Sequence, residues 1–330
     1  MILIIAPHSD DHAIAVLSEL HRRGERATIL DVAELPQRAT CSVTFEPGSS
    51  MRARIGRAID RIDLDDVHTV WLRRVGAPRP PELRDRWYAI SETTHLLVGL
   101  AQALAERRWI NPLASMAMDG GWGKVRQLQA ALEVGLEIPR TLMTNDPEET
   151  AAFVESCGDA GAVFKPFASR EGQDASGRIS AIFTTEVFRG TDFRNVAHAP
   201  CIFQQKVPKR VELRATVMGS VVHTIEIHSQ DDAASSIDYR RKYLQVPHAV
   251  HVLPRDVEQK LIAWTRALGL VFATGDLIVT PEGRYVALEL NQQGQFEWTG
   301  RKTGVPIVSM FCDFLTQTTE RALPTPRRCG

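Results

Sequence analysis

Three side chains that carry oxygen atoms stand out in an otherwise apolar segment, residues 275–291. Asp276 is near the start of this segment, and Glu289 and Asn291 are at its end. Pro281-Glu282-Gly283 lies between them and is typical of a tight turn, so the segment is predicted to form an antiparallel hairpin. Because side chains alternate along a strand, Glu289 and Asn291 point to one face, and the hairpin can bring Asp276 beside them.

These three residues form a donor set of two carboxylates and one amide oxygen. Hard oxygen ligands of this kind suit Mg²⁺, especially where phosphates also bind the metal. An edge hairpin whose acidic side chains face solvent would show the same spacing. The spacing alone leaves both interpretations open.

Two lysines have surroundings that suit phosphate binding. Lys124 opens a predicted helix directly after the glycine-rich stretch 120–123, where free backbone amides and an ammonium group can meet phosphate oxygens. Lys165 ends an apolar strand, which is costly unless an anion meets the charge. The loop that follows, residues 168–177, contains glycine and small residues whose amides can fold over phosphates. Taken alone, each lysine is also compatible with a surface charge.

The N-terminal part of the chain has the pattern of an α/β domain. Its predicted elements are a strand, a helix, two further strands and a long helix, at residues 1–5, 9–24, 27–32, 67–73 and 87–107. Ser9 and Asp10 are the residues expected to cap the first helix. A strand, a helix and a second strand in this order open an α/β fold.

The rest of the chain is predicted to form two further parts. Asn111-Pro112 breaks the helical pattern and marks a domain boundary, and strands predominate from Cys201 onward. The fold class is therefore α/β, with an α+β C-terminal part. The expected division is an N-terminal domain, a central subdomain, a C-terminal subdomain and a disordered tail, at 1–110, 111–200, 201–322 and 323–330.

The composition is that of an ordinary globular protein. Of the 330 residues, 44% are hydrophobic and 24% are charged, and the net charge of −1 gives no reason to expect binding to nucleic acid or a membrane. The apolar run 1–5 is too short for a signal peptide or a membrane span. The five cysteines form no CxxC pair, which argues against a zinc ribbon or a disulfide framework. Reduced thiols and a cytoplasmic location are expected.

The order of these features resembles the ATP-grasp superfamily and, within it, the RimK-like branch. The motifs are Lys124, Lys165-Pro166, Gln204-Gln205, Glu212-Leu213-Arg214, Asp276 and Glu289-Leu290-Asn291. Other segments resemble the maturases of graspetides, the microviridin-type peptide ligases: Trp71-Leu72-Arg73-Arg74, Asn111-Pro112, residues 203–208, Asp238-Tyr239-Arg240 and residues 291–296. The resemblance covers nearly the whole chain. It implies an ATP-grasp fold that follows an N-terminal pre-ATP-grasp α/β domain.

The resemblance assigns the nucleotide contacts by position. It implies that Lys124 and Lys165 hold the α- and β-phosphates of ATP, and that Glu212 lies near the ribose. Gln204 opens the strand beside adenine, with backbone groups of Gln205 and Val207 reading the edge of the base. The chain departs from the family at Gln205, where relatives carry an acid, which bears on the adenine contacts. A second departure is Gln292, where a proline is usual, and it affects only the turn.

The resemblance also implies the reaction. Asp276, Glu289 and Asn291 match the ligands of two Mg²⁺ ions, while Arg214 and Arg240 match arginines that face the transferred phosphate and the acceptor carboxylate. Graspetide maturases join Asp or Glu side chains of a precursor peptide to Ser, Thr or Lys side chains. ATP would convert the carboxylate to an acyl phosphate, which a hydroxyl or amine then attacks.

Partners and the general base are less defined. His223, His228 and Asp238 are candidates for the base, and none stands out. The implied partner is a precursor peptide with a leader and a core segment, and the leader is expected near residues 189–194 and 206–211. The relatives also imply a homodimer.

Three other interpretations stay open. One is a RimK-like ligase that adds an amino acid to a protein or a small carboxylate. Another is a nucleotide-binding module without turnover, against which the intact Asp276, Glu289 and Asn291 set argues. The third is a zinc site, since residues 7–11 (Pro-His-Ser-Asp-Asp) resemble the motif of LmbE-like deacetylases and His248-Ala249-Val250-His251 offers later ligands. The zinc interpretation leaves the lysine pattern unexplained.

Overall fold

The computed structural model describes residues 1–82, 84–117, 123–167, 171–173, 179–181, 184–231 and 246–317. In chain order the strands are β1 (Ile2–Ile5), β2 (Ala27–Leu30), β3 (Thr40–Thr44), β4 (Arg52–Gly56), β5 (Ile62–Asp63), β6 (Thr69–Leu72), β7 (Arg108–Ile110), β8 (Thr141–Thr144), β9 (Ala162–Lys165), β10 (Glu171–Gln173), β11 (Ile179–Ala181), β12 (Thr185–Val187), β13 (Cys201–Gln205), β14 (Val211–Met218), β15 (Val221–Ile227), β16 (His248–His251), β17 (Phe272–Val279) and β18 (Tyr285–Asn291). The α-helices are α1 (Asp11–Arg22), α2 (Arg86–Ala103), α3 (Leu113–Ala117), α4 (Lys124–Glu133), α5 (Pro147–Ser156), α6 (Arg255–Ala267), α7 (Glu297–Thr303) and α8 (Ile307–Thr316). None of the helices within these ranges is long and apolar enough to cross a membrane.

The chain divides into two compact units. The first unit consists of Met1–Met118, Leu270–Phe272 and Gln295–Gly330, and the second of Asp119–Gly269 and Ala273–Gly294. The finer division at residues 110, 200 and 322 stays a prediction. The predicted tail 323–330 lies outside the described residues, as do Asp238 and Arg240.

The first unit is built on a parallel four-stranded sheet in the order β2-β1-β6-β7. Ile2, Leu3 and Ile4 of β1 are buried, which is typical of a strand covered on both faces. Asp10 starts α1 because its Oδ1 accepts a hydrogen bond from the N–H of Ala13 at 3.0 Å. The predicted α/β opening of the chain is confirmed.

Two motifs from the sequence have structural partners in the first unit. Arg73 is buried, and its Nε lies 3.4 Å from Oδ1 of Asp10. Asn111 follows β7, donates from Nδ2 to the carbonyl oxygen of Phe272 at 2.9 Å and accepts at Oδ1 from the N–H groups of Val271 and Phe272. Asn111 therefore holds Val271 and Phe272 close to the end of β7.

A small antiparallel sheet, β3-β4-β5, was not predicted. Its strands are short, and most side chains of β3 and every second one at the start of β4 are exposed. Ala53, Ile55 and Ile62 nevertheless join the core of the first unit. Such brief apolar alternation, with charged residues on the other face, gives little signal in a sequence.

The second unit contains two larger sheets. One has the order β12-β9-β13-β8 and the other β16-β15-β14-β17-β18, and a separate hairpin pairs β10 with β11. All the strand pairs whose register is known in these sheets are antiparallel. The mixed α+β character predicted for the C-terminal part is confirmed.

The first of these sheets has an apolar face and a polar face. Phe203 of β13 packs with Phe164 and with α5, whose N-terminus is capped by Asp146 and has Pro147 in its first turn. Gln204 is paired with Val163, and Ile202 with Lys165. Since paired residues share a face and neighbours alternate, Gln204 and Lys165 project together from the face opposite α5.

Candidate functional site

The predicted hairpin brings the three oxygen-bearing side chains to one face. Asp276 is the direct partner of Glu289 across β17 and β18, and Thr274 is the partner of Asn291. Residues two apart on a strand share a face, so Asp276, Glu289 and Asn291 project together. The register shifts between Asp276 and Leu277, so an irregularity in the pairing lies directly beside this cluster.

Lys124 is the cation that meets Glu289. Its Nζ lies 2.5 Å from Glu289 Oε1, at the first residue of α4. Gln127, three residues later and on the same side of the helix, accepts a hydrogen bond at Oε1 from the N–H of Leu290 at 3.4 Å. The backbone oxygen of Gln127 also accepts from Nε1 of Trp264 at 2.8 Å. Gln127 was not predicted, and it fixes the helix end that carries Lys124.

Arg214 is the cation that meets Asp276. Its Nη1 lies 2.8 Å from Oδ1 and 2.9 Å from Oδ2 of Asp276, and the Arg214 side chain is largely buried. The contact forms because β14 is the neighbour of β17 in the sheet. A charge-assisted hydrogen bond in a buried setting is stronger than one at a surface.

Lys165 adds a third positive group from the other sheet. Burial lowers the pKa of Lys165 to about 8, opposed by the Glu289 carboxylate and assisted by the Lys124 ammonium. Burial would by itself raise the pKa of Glu289, but the charge and hydrogen bond of Lys124, together with Lys165 and Arg214, hold it below its ordinary value. These mutual effects join the two sheets of the second unit in one charged cluster.

The cluster suits a hard cation bound together with an anion. Among the described residues, no three His, Cys, Asp or Glu side chains are placed to hold a metal by themselves. Asp276, Glu289 and Asn291 offer two carboxylates and an amide oxygen on one face, so this donor set fits Mg²⁺ whose remaining ligands are phosphate or water oxygens.

Glu212, whose place near the ribose stays a prediction, has two side-chain partners within the protein. Its Oε1 accepts from Nζ of Lys209 at 3.1 Å and from the hydroxyl of Ser229 at 2.6 Å. Burial raises the pKa of Glu212, and the Lys209 charge only partly offsets this. Lys209 and Ser229 were missed because no motif marks them; Ser229 is 17 residues from Glu212 in the chain.

The strand predicted to lie beside adenine has a defined hydrogen-bond pattern. Gln204 donates from Nε2 to Oγ1 of Thr141 at 3.0 Å, and the Thr141 hydroxyl donates to the carbonyl oxygen of Pro139 at 2.8 Å. The N–H of Gln205 donates to the carbonyl oxygen of Arg140 at 2.9 Å. Any contact from the Gln205 backbone to a base must therefore use its carbonyl oxygen. Val207 follows the strand and is partly buried.

The remaining predicted residues fall into two sets. Arg240 and Asp238 fall outside the described residues, so their roles stay predictions. The residues of the zinc interpretation have other partners: Asp10 caps α1 and His8 Nε2 lies 3.3 Å from Glu34. His251 Nδ1 lies 2.7 Å from Glu226 on β15. These contacts give no support to a zinc site.

Comparisons with known proteins bear on the fold. Residues 1–117 match the family model of the MvdD pre-ATP grasp domain. Solved ATP-grasp structures superpose on almost the whole chain. The chain therefore has an ATP-grasp fold with an N-terminal pre-ATP-grasp domain, and the predicted resemblance is confirmed.

Individual relatives fall within the predicted branch. A RiPP-associated ATP-grasp ligase from Chryseobacterium gregarium, solved with ADP and a leader and core peptide, is 25% identical with a TM-score of 0.86, over 95% of this chain and 96% of that one. The macrocyclase MdnC from Microcystis aeruginosa MRC, bound to the precursor peptide MdnA, is 25% identical with a TM-score of 0.80, over 95% and 98%. A probable alpha-L-glutamate ligase from Pectobacterium carotovorum is 26% identical over 216 residues, 64% of this chain and 68% of the relative.

The lowered pKa of Lys165 predicts how the stability of a variant depends on pH. The native protein releases this proton near pH 8, whereas the unfolded chain holds it up to about pH 10.5. The unfolded state thus binds more protons between these values, and the native state gains stability as the pH rises through them. Lys165→Met should be more stable than the wild type below pH 8, and its advantage should shrink towards pH 10.

The measurement is urea unfolding of both proteins between pH 6 and 10. Lys260→Met, at a partly exposed lysine of α6, gives the reference curve for losing a lysine near the surface. A stability difference at residue 165 that stays constant over this pH range contradicts the prediction.

Proposed function

We propose that this protein is an ATP-dependent ligase that closes rings in a ribosomally made precursor peptide. It forms an acyl phosphate on Asp or Glu side chains, which Ser, Thr or Lys side chains displace to give esters or amides. The observation that carries the proposal is the cluster of Lys124, Lys165 and Arg214 around Asp276 and Glu289. The likeness to a macrocyclase bound to its precursor peptide supports the peptide substrate.

Charge explains what each residue would do for ATP. A carboxylate that attacks the γ-phosphate brings two anions together, so cations must offset both. Lys124 and Lys165 would bind the α- and β-phosphates. Asp276, Glu289 and Asn291 would hold Mg²⁺, with two ions expected, and bound Mg²⁺ supplies further neutralisation of the phosphates. Since Lys124 and Arg214 now pair with these carboxylates, both would be released towards the phosphates.

The acyl transfer then needs two displacements. The substrate carboxylate attacks the γ-phosphorus, ADP leaves, and Arg214, with Arg240 as its predicted partner, offsets the negative charge. The hydroxyl or amine next attacks the acyl carbon, and the bond to the phosphate oxygen breaks. One ATP becomes ADP and phosphate, and each ring removes one water from the peptide.

The direction of the Gln204 amide favours an adenine base. The only hydrogen of the Thr141 hydroxyl is donated to Pro139, so this oxygen must accept from the NH₂ group of Gln204. The amide oxygen Oε1 then points away and, within the described part of the chain, is buried without a hydrogen-bond partner. The 6-amino group of adenine is a donor that would satisfy it, whereas hypoxanthine and guanine present an oxygen there.

Partners follow from the same proposal. A cavity of about 370 Å³ lies between α5 and the turn after β12, lined by Ala151, Ala152, Glu155, Arg189, Thr191 and Phe193. It overlaps the segment 189–194 expected to meet the leader, which makes it the candidate for that role. A homodimer in the cytoplasm stays part of the proposal and rests on the family resemblance.

The second candidate is a RimK-like ligase that adds glutamate or another amino acid to a carboxylate substrate. The similarity to a probable alpha-L-glutamate ligase favours it. Both functions use the same ATP chemistry, so they differ only in the nucleophile and in the mass of the product.

Replacing Glu289 should stop ATP turnover. Glu289→Ala removes a predicted magnesium ligand and leaves Lys124 without its partner, so ADP formation should fall to background, as measured by a coupled assay. Glu282→Ala is the control, because this acid lies in the exposed turn of the same hairpin. Wild-type turnover in Glu289→Ala would rule out the metal assignment.

Gln204 should set the preference for ATP over ITP. Gln204→Met removes the acceptor, so the wild-type preference for ATP, expected to be about 10- to 100-fold in kcat/KM, should largely disappear. Gln205→Met is the control, because its side chain projects from the opposite face. A preference that survives in Gln204→Met contradicts this role.

Mass spectrometry separates the two candidate functions. Incubation with ATP, Mg²⁺ and a Thr- and Asp/Glu-rich precursor peptide with a leader and a core segment should lower the peptide mass by one water for each ring. Added free glutamate should not enter the product. A mass increase equal to an added amino acid would disprove ring closure and support the glutamate ligase.

A further inference from the structure

One histidine lies on the face that carries Arg214. Thr216 is two residues beyond Arg214 on β14, and its direct partner on β15 is His223. Paired residues share a face and residues two apart share a face, so the three side chains project from the same side of the sheet. This is the side on which Arg214 meets Asp276.

Both new side chains are buried with unsatisfied polar atoms. Thr216 is fully buried and His223 is 8% exposed. Across the described ranges, Oγ1 of Thr216 and Nε2 of His223 have no hydrogen-bond partner. A buried polar atom is costly unless a partner satisfies it, so these two atoms call for a group that can donate or accept. An unpaired hydroxyl does not by itself indicate a binding site, because Thr224 on the opposite face also has one.

The other described histidine candidate for the general base is engaged elsewhere. His228 Nε2 lies 3.0 Å from Glu226, and His251 Nδ1 lies 2.7 Å from the other oxygen of the same carboxylate. Glu226 pairs with Leu213 on β14, so it lies on the face opposite Arg214. His223 is therefore the described candidate that shares a face with the charged cluster.

The order of residues along β14 indicates what this pair would face. Glu212 is predicted near the ribose, and Arg214 contacts Asp276 at the predicted metal and phosphate site. Thr216 is the next residue on this face, about 7 Å further along the strand. The pair Thr216–His223 therefore follows the phosphates in the direction leading away from the base.

We propose that Thr216 and His223 bind the attacking hydroxyl or amine of the peptide and that His223 is the general base of ring closure. This rests on the proposed function. The nucleophile oxygen or nitrogen forms its bond to the acyl carbon, the carbon–oxygen bond to the phosphate breaks, and the proton of the nucleophile passes to Nε2 of His223. Phosphate leaves with the electron pair of the broken bond.

The environment of His223 suits this task. Burial lowers the pKa of His223, so its imidazole is neutral near pH 7 and free to accept a proton. The other titratable side chains on this face of the sheet, from β14 to β18, are Glu212, Arg214, His248, Asp276 and Glu289. Because a base acts only when deprotonated, the rate of ring closure should fall as the pH drops through this lowered pKa.

The test separates the two steps of the reaction in His223→Gln. Hydroxylamine, itself a good nucleophile near neutral pH, traps the acyl phosphate as a hydroxamate and reports the first step, while mass spectrometry of the Thr- and Asp/Glu-rich precursor peptide reports ring closure. Hydroxamate formation should stay at the wild-type level, and ring closure should fall by about 10²- to 10⁴-fold. The acidic limb of the pH profile for ring closure should disappear in His223→Gln.

Two threonine variants complete the experiment. Thr216→Val should slow ring closure about tenfold, whereas Thr224→Val removes an equally buried hydroxyl from the opposite face and should leave both steps unchanged. Ring closure at the wild-type rate in His223→Gln overturns the inference. The inference also fails if hydroxamate formation and ring closure fall by the same factor and the melting temperature of the variant falls with them. A wild-type protein that yields no hydroxamate overturns the proposed function, and this inference with it.

Discussion

The site depends on the ion pairs that neutralise two carboxylates. Arg214 pairs with Asp276, and Lys124 pairs with Glu289. These carboxylates face each other directly across two strands, an arrangement that destabilises a sheet when the charges are left alone. Lys124 and Arg214 remove this repulsion by approaching from α4 and β14. The same two cations can later turn to phosphate oxygens if a metal takes over the carboxylates.

The supporting contacts act by holding these charges in register. Gln127 ties α4 to β18 beside Glu289, so the helix turn that carries Lys124 cannot shift without breaking a hydrogen bond to the backbone. Lys165 stands at the end of a strand whose other face is fixed by Phe203 against α5. Burial makes a cation at this position costly, and an arriving anion would remove that cost. An anion that binds beside Lys165 therefore relieves a cost that the folded protein already carries, and this relief favours binding.

Much of the arrangement could be predicted from the sequence, where the signal was local. The hairpin 275–291 combines strand alternation with a turn motif, and Asp10 starts a helix by a hydrogen bond within its own first turn. Gln127, Lys209 and Ser229 escaped prediction because their partners are set by tertiary contact; Gln127 meets a residue 163 positions away. The sheet β3-β4-β5 escaped because its strands are short and largely polar outside.

Strand β14 gives the two halves of the proposed reaction separate positions. Glu212, Arg214 and Thr216 occupy successive places on one face, about 7 Å apart. In the proposed reaction the first two would serve the nucleotide and the carboxylate, and only the third, with His223, would face the nucleophile. The two candidate functions share the ATP chemistry and differ in what attacks the acyl group. Because the two functions lie at different points of the strand, a change at 216 or 223 can alter the nucleophile while the charged cluster stays intact.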